Sequence, residues 1–200
     1  RTARRSMNLL TIEWQNRGIN MWTIDSGTIN LVEGTATYDL PADTIDLLEQ
    51  VIRTGAGNVS TQSDLTLSRI SVATYATVPN KLSQGRPIQI YVDRARDNPK
   101  ATLWPVPDKG TADSPTYVLK YYRMRRIQDA GAGVQTPDVS FRFLPCLVAG
   151  LAYYVAMKDP ELVTRLPILK AAYEEAFELA AGEDREKATI SLIPRLFGTN

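Results

Sequence analysis

The chain has 200 residues, 44% of them apolar, a net charge of +1 and no histidine. That size allows a proper core, in one domain with an elaborated insertion or in two small ones, and near-neutral charge gives no overall pull toward nucleic acid or an anionic membrane. Without histidine there is no Ser-His-Asp or Cys-His catalysis, no common zinc site and no usual general base, and a lone cysteine, Cys146, excludes a disulfide within the chain.

The sequence opens on Arg1 rather than methionine, so residues are expected to be missing ahead of it, and no signal-peptide pattern is present. Residues 2–24 predict a helix whose ragged apolar stripe, Leu9, Ile12, Trp14, Ile19 and Trp22, opposes Arg4, Arg5, Glu13 and Arg17. Gly18 weakens it by about 1 kcal/mol relative to alanine. Residues 28–126 lack helical period and are rich in Thr, Val, Ile and Tyr, which favours strands. Ile29–Val32 and Thr35–Leu40, separated by Glu33-Gly34, predict a two-residue hairpin. Strands follow at Asp43–Arg53 and Leu65–Ile70, divided by a turn-forming loop, Gly55 to Ser63, and then a short helix at Ser71–Val78. Ile88–Arg94, Ala101–Trp104 and Tyr117–Arg125 predict a three-strand meander. In the first of these, Ile88, Ile90 and Val92 alternate with Gln89, Tyr91 and Asp93, the period of a half-buried strand.

Residues 138–187 predict two helices joined at Lys158-Asp159-Pro160-Glu161. In the first, Phe141, Leu144, Leu147, Val148, Leu151, Ala152 and Val155 recur at helical spacing, while Cys146, Ala149, Gly150 and Ala156 keep the other side small rather than polar. A helix with no wet face needs cover on several sides, from its own fold or from a neighbouring copy. The 15 uncharged residues between Arg142 and Lys158 fall short of the roughly 20 of a bilayer span, so a buried helix is expected. Asp159 suits a cap and Pro160 a first helical position. The second helix is amphipathic along Leu162, Leu166, Leu169, Tyr173, Ala176, Phe177 and Ala180, with a kink or break expected at Pro167. Each fully buried Leu or Phe contributes about 1.5–3 kcal/mol, so this hairpin can supply much of the stabilising burial.

The expected class is therefore α+β: a helical bundle of the N-terminal helix and the C-terminal hairpin (residues 1–27 and 128–187), an inserted antiparallel β-rich domain (28–127) and an extended C-terminal arm (188–200). In that arm Ile190, Leu192, Ile193, Leu196 and Phe197 are large and apolar without helical period, and Pro194 interrupts them. Such a segment packs on its own core or reaches into a groove of another subunit.

No catalytic, cofactor or metal residues are assigned. Gly55-Ala56-Gly57 and Gly131-Ala132-Gly133 lack the remaining glycine and lysine of phosphate loops. Glu174, Glu175, Glu178, Glu183, Asp184 and Glu186 alternate with Lys170, Arg185 and Lys187 and read as a solvated face; paired acids of a peptidoglycan hydrolase are the competing reading. Arg123, Arg125 and Arg126 beside Tyr121 and Tyr122 admit a nucleic-acid-binding module. However, Arg123 and Arg125 share one strand face while Tyr122 and Met124 share the other, so charge and stacking surface do not coincide. These arginines, with Arg4 and Arg5, are better placed at a subunit interface or facing a channel.

Several segments together resemble the head-to-tail adaptor proteins of short-tailed bacteriophages, also called tail accessory factor or tail tubular protein A. They are Arg4-Arg5-Ser6-Met7-Asn8-Leu9-Leu10, Glu13-Trp14, Asn16-Arg17-Gly18-Ile19-Asn20-Met21-Trp22, Gly34-Thr35-Ala36-Thr37-Tyr38-Asp39-Leu40-Pro41, Gly85-Arg86-Pro87, Leu103-Trp104-Pro105-Val106-Pro107 and Phe141-Arg142-Phe143-Leu144-Pro145. The resemblance implies a virion protein at the head-tail junction, assembled in the host cytoplasm, in a homo-oligomeric ring usually of twelve copies. It implies binding to the portal protein and the tail nozzle protein, with DNA passing through without specific recognition, no cofactor and no membrane. Carried over, Ala188 to Phe197 becomes the portal-binding arm, and the loops Gly55 to Ser63 and Lys109 to Pro115 face the nozzle or the channel. One adaptor of this broad type is credited with cell-wall hydrolysis, which no matching position here supports.

Overall fold

A computed structural model describes residues 2–19, 21–95, 97–127 and 138–183. The chain divides into two compact units, Arg1–Met21 with Asp129–Asn200, and Trp22–Gln128. Helices and predominantly antiparallel sheets give the α+β class expected from the sequence.

The first unit is helical. Helix α1 spans Thr2–Asn16 and buries Ser6, Leu10, Thr11 and Trp14. It stops earlier than its apolar stripe suggests because Gly18 takes φ +89°. There the Ile19 N–H reaches back to the Trp14 carbonyl at 3.0 Å, closing the helix with a left-handed cap. Two further helices of this unit, α3 (Leu144–Ala156) and α4 (Leu166–Glu183), are joined by a 3₁₀ segment, Pro160–Arg165. Asp159 caps that segment by accepting from the Glu161 N–H at 3.0 Å. Pro167 sits in the first turn of α4, so the break expected there falls at a helix start.

Among its described residues the second unit holds eight strands and one short α-helix. Strands β1 (Ile24–Asn30), β3 (Thr44–Thr54), β4 (Ser63–Thr66) and β8 (Tyr117–Arg125) form an antiparallel sheet in the order β1-β8-β3-β4. Strands β2 (Thr37–Asp39), β5 (Ser68–Ile70), β6 (Gln89–Asp93) and β7 (Lys100–Trp104) form the other, in the order β2-β7-β6-β5, with β5 parallel to β6. Helix α2 (Val72–Ala76) follows β5, and the Ser71 side chain caps it by accepting from the Thr74 N–H at 3.1 Å. One apolar core draws on both sheets, with Leu47, Ile52 and Leu119 from the first and Ile90, Ala101 and Leu103 from the second.

Two strand pairings differ from those expected. The segments flanking Glu33-Gly34 do not make a hairpin: β1 and β2 lie in different sheets. The Glu33 and Gly34 N–H groups donate to the carbonyls of Gly110 and Pro107, which ties this turn to the loop after β7. Nor do β6, β7 and β8 form a meander. The β6–β7 pair exists, but β8 joins β1 and β3. Pro105 and Pro107 follow β7 at once and offer no N–H to a ladder, so the chain leaves the sheet before β8 begins. The predicted strand 65–70 is likewise two strands: buried Leu67 marks the point where the chain passes from one sheet to the other.

Candidate assembly surface

The helical unit is locked from inside by aromatic side chains. Trp14 and Tyr173 are fully buried, and the Trp14 indole N–H donates to the Tyr173 hydroxyl at 3.1 Å. The Trp14 ring lies 5.6 Å from that of Phe143, and Tyr153 stacks on Tyr173. At the edge of this cluster the Arg17 guanidinium bonds Glu174 at 2.6 Å, pairs with Glu13 at 3.6 Å and covers the Phe177 ring at 3.9 Å. Arg17 thus ties α1 to α4 through charge and through the aromatic face it shields. The Tyr154 hydroxyl donates to Glu13 at 2.5 Å, and the Lys158 ammonium donates to Ser6 at 2.6 Å, so α1 and α3 are pinned at two levels.

The sequence leaves open which side of α3 faces this core, and the structure covers one side only of a helix expected to be buried. The small side is inside: Cys146, Gly150 and Ala156 are buried, together with Leu147. The bulkier row is outside, with Phe141 75% and Val148 68% exposed and Leu144 and Ala152 also on the surface. At Gly150 the fit admits nothing larger, since a Cβ there would stand 2.8 Å from Leu10 on α1 and 2.9 Å from Tyr173 on α4. On α4, Tyr173, Phe177 and Ala180 point inward as expected, while Ile168 and Leu179 are each 72% exposed, with Ala171, Ala172 and Glu175 between them. This second outer row was missed. Its signal is Ile168, Ala172, Glu175 and Leu179 recurring at steps of four, three and four, out of phase with the inward stripe.

Near the start of α3, Arg142, Pro145, Cys146, Ala176, Leu179 and Ala180 line an apolar groove of about 420 Å³. Burial pushes the Cys146 thiol up to about 12, so it stays protonated and unreactive at neutral pH.

The basic residues singled out from the sequence do not gather in one place. Arg4 and Arg5 lie on the exposed side of α1, where with Asn8 and Leu9 they line a shallow cavity of about 430 Å³. In the β unit, Arg123 and Arg125 are only 11% and 15% exposed. Both lie on the strand face that carries Tyr121 into the core. Arg123 donates to Asp43 at 2.6 Å and to Thr44 at 3.0 Å, and Asp25 accepts from Arg123 at 3.5 Å and forms an ion pair with Arg125 at 3.2 Å. Arg126 borders a separate cavity with Ala42, Asp43 and Asp97. Ile190, Leu192, Ile193, Pro194, Leu196 and Phe197 lie outside the described residues. Of the acids, Glu174 is taken up by Arg17. Among the described residues no group of three or more metal-ligating side chains occurs, and no helix is long and apolar enough to cross a membrane.

The SU10 adaptor protein family matches this sequence over residues 2–193, through both units. The chain belongs to that family. It is therefore a structural adaptor of a bacteriophage and a component of the virion, associating with other head or tail proteins. No curated protein matches it.

For an adaptor, the stability of the helical unit matters directly, and one of its polar contacts has a pH signature. Burial, then the bond to Glu13, raises the Tyr154 phenol from 10.0 to about 12. Above pH 10 the unfolded chain releases this proton while the folded chain keeps it, so the folded state binds more protons and stability falls with rising pH until about 12. Tyr154→Phe removes this contribution. The expected result is a shallower loss of thermal midpoint for the variant than for the wild type between about pH 10 and 12. Parallel curves would show that the phenol is not held as described.

Proposed function

We propose that this adaptor is a non-catalytic ring subunit joining the portal at the capsid vertex to the tail nozzle, around a central passage for the genome. Family membership across residues 2–193 is the observation that carries the reading. The outer apolar rows of the helical unit support it, since contiguous exposed apolar surface marks sites of protein association. In this proposal residues 1–27 and 128–187 form the ring body, and residues 28–127 form an excursion from it. The loops Gly55 to Ser63 and Lys109 to Pro115 meet the nozzle or the channel. Arg4 and Arg5 lie at subunit boundaries. Arg123, Arg125 and Arg126 act within the β unit, where Asp25 and Asp43 already engage the first two.

Residues 188–200 are the proposed docking arm, with Ile190, Leu192, Ile193, Pro194, Leu196 and Phe197 entering a groove on the portal. Closing a ring multiplies weak identical contacts, so an arm that binds poorly alone can still hold the joint. A passage for DNA gains nothing from gripping it, and a net charge of +1 suits that. Deleting residues 188–200 is expected to abolish capture of the chain by purified portal while leaving its circular dichroism unchanged. Undiminished capture would overturn the role of the arm.

A further inference from the structure

We propose that the outer row of α3 in one copy packs against the outer row of α4 in the next copy, so that subunit contact in the ring is helix on helix and head to tail. This rests on the ring reading above and assigns its faces. Helix α3 has no charged residue from Leu144 to Ala156, and its outward side carries Leu144, Val148 and Ala152, with Phe141 just ahead of it. A side this apolar is not built to face water. The described residues of its own unit cover only the opposite side. The outer side of α4 offers a matching relief, with the small Ala171 and Ala172 between the larger Ile168 and Leu179. Leu144 and Val148 are knobs of the size that such a hollow accepts.

The occupant follows from there being two such rows on two different helices. One self-complementary patch produces a closed dimer, whereas two distinct patches that fit each other produce head-to-tail contacts, the kind that close into rings. Charge sets a condition on the contact: the α3 row carries none, so Glu175, the one charge of the α4 row, has to keep its carboxylate at the wet rim. The α3 row is a single short stripe, so such a contact is weak alone and strong only when a ring repeats it.

The test is made on phage particles carrying Val148→Cys and Ala172→Cys in the same chain, treated with a short bis-maleimide. Native Cys146 is buried and stays silent, which wild-type particles check. A ladder of two, three and more linked chains is expected from the double variant, and none from either single variant. A dimer band from Val148→Cys alone would mean that like rows face each other and would overturn the proposal. A lysine-reactive cross-linker applied to the same particles separates the two levels of the reading. A lysine ladder without a cysteine ladder defeats the assigned faces and leaves the ring; no ladder from either reagent defeats both.

Discussion

Trp14→Ala is expected to destabilise the helical unit by about 3–5 kcal/mol, the usual range for truncating a buried tryptophan. Three losses combine. The indole is fully buried, so its removal leaves a cavity between α1, α3 and α4 that backbone packing cannot refill. Its tilted ring contact with Phe143, centroids 5.6 Å apart, disappears. The Tyr173 hydroxyl, which accepts from the indole at 3.1 Å in the interior, loses that donor, and an unsatisfied buried polar group costs about 1–3 kcal/mol within this total. The measurement is a denaturant titration followed by helical circular dichroism, with Trp14→Phe beside it to keep volume while removing the donor. A Trp14→Ala loss below about 1 kcal/mol would show that the tryptophan is not the keystone it is taken for.

Gly150→Val is the second large effect, at about 3 kcal/mol or more. A Cβ built on Gly150 would stand 2.8 Å and 2.9 Å from the two terminal carbons of Leu10 and 2.9 Å from the Tyr173 ring. Leu10 can turn aside at small cost. Tyr173 cannot, because Trp14 holds its hydroxyl and Tyr153 stacks on its ring. Valine adds two further carbons at the same crowded point. Gly150→Ala is the graded control: alanine regains about 1 kcal/mol of helix propensity, which offsets part of the clash. The expected order of stability is glycine, alanine, valine, read from denaturation midpoints. A valine variant as stable as the wild type would mean that α1 and α4 do not approach α3 as closely as described.

These two positions also explain how much the sequence discloses. Helical spacing puts Trp14 and Tyr173 on apolar stripes and the structure buries both, but in α1 it leaves Leu9 and Ile12 of that stripe exposed and buries Ser6, Leu10 and Thr11 instead, so only in α4 does the polar side fix the direction of the core. Helix α3 has no polar side, so periodicity says that it is a helix and nothing about which way it faces. Close fit decided that: Gly150 and Cys146 allow a short helix-to-helix distance that Leu144 and Val148 forbid. The strands show a similar split. Alternation in β6 is plain from residues 88–92, but a strand of period two carries no mark of its sheet. The split of 65–70 at Leu67, and the departure of the chain at Pro105 and Pro107, depend on partners remote in sequence. The basic cluster at 123–126 is legible as residues, and the partners of Arg123, Asp25 and Asp43, are not, being 98 and 80 positions away.

Asp25 has one more effect, on what the β unit refuses to do. Strand β1 forms the rim of its sheet, and a bare rim invites a foreign strand to extend it, which is how folded β proteins fuse and precipitate. Here the carboxylate lies on the inner side of that rim strand, engaged by Arg123 and Arg125. A strand added alongside would have to seal its own greasy side chains against an ion. Copies of the chain brought close together are thereby kept from tangling their sheets, and the neutral variant Asp25→Asn removes that safeguard.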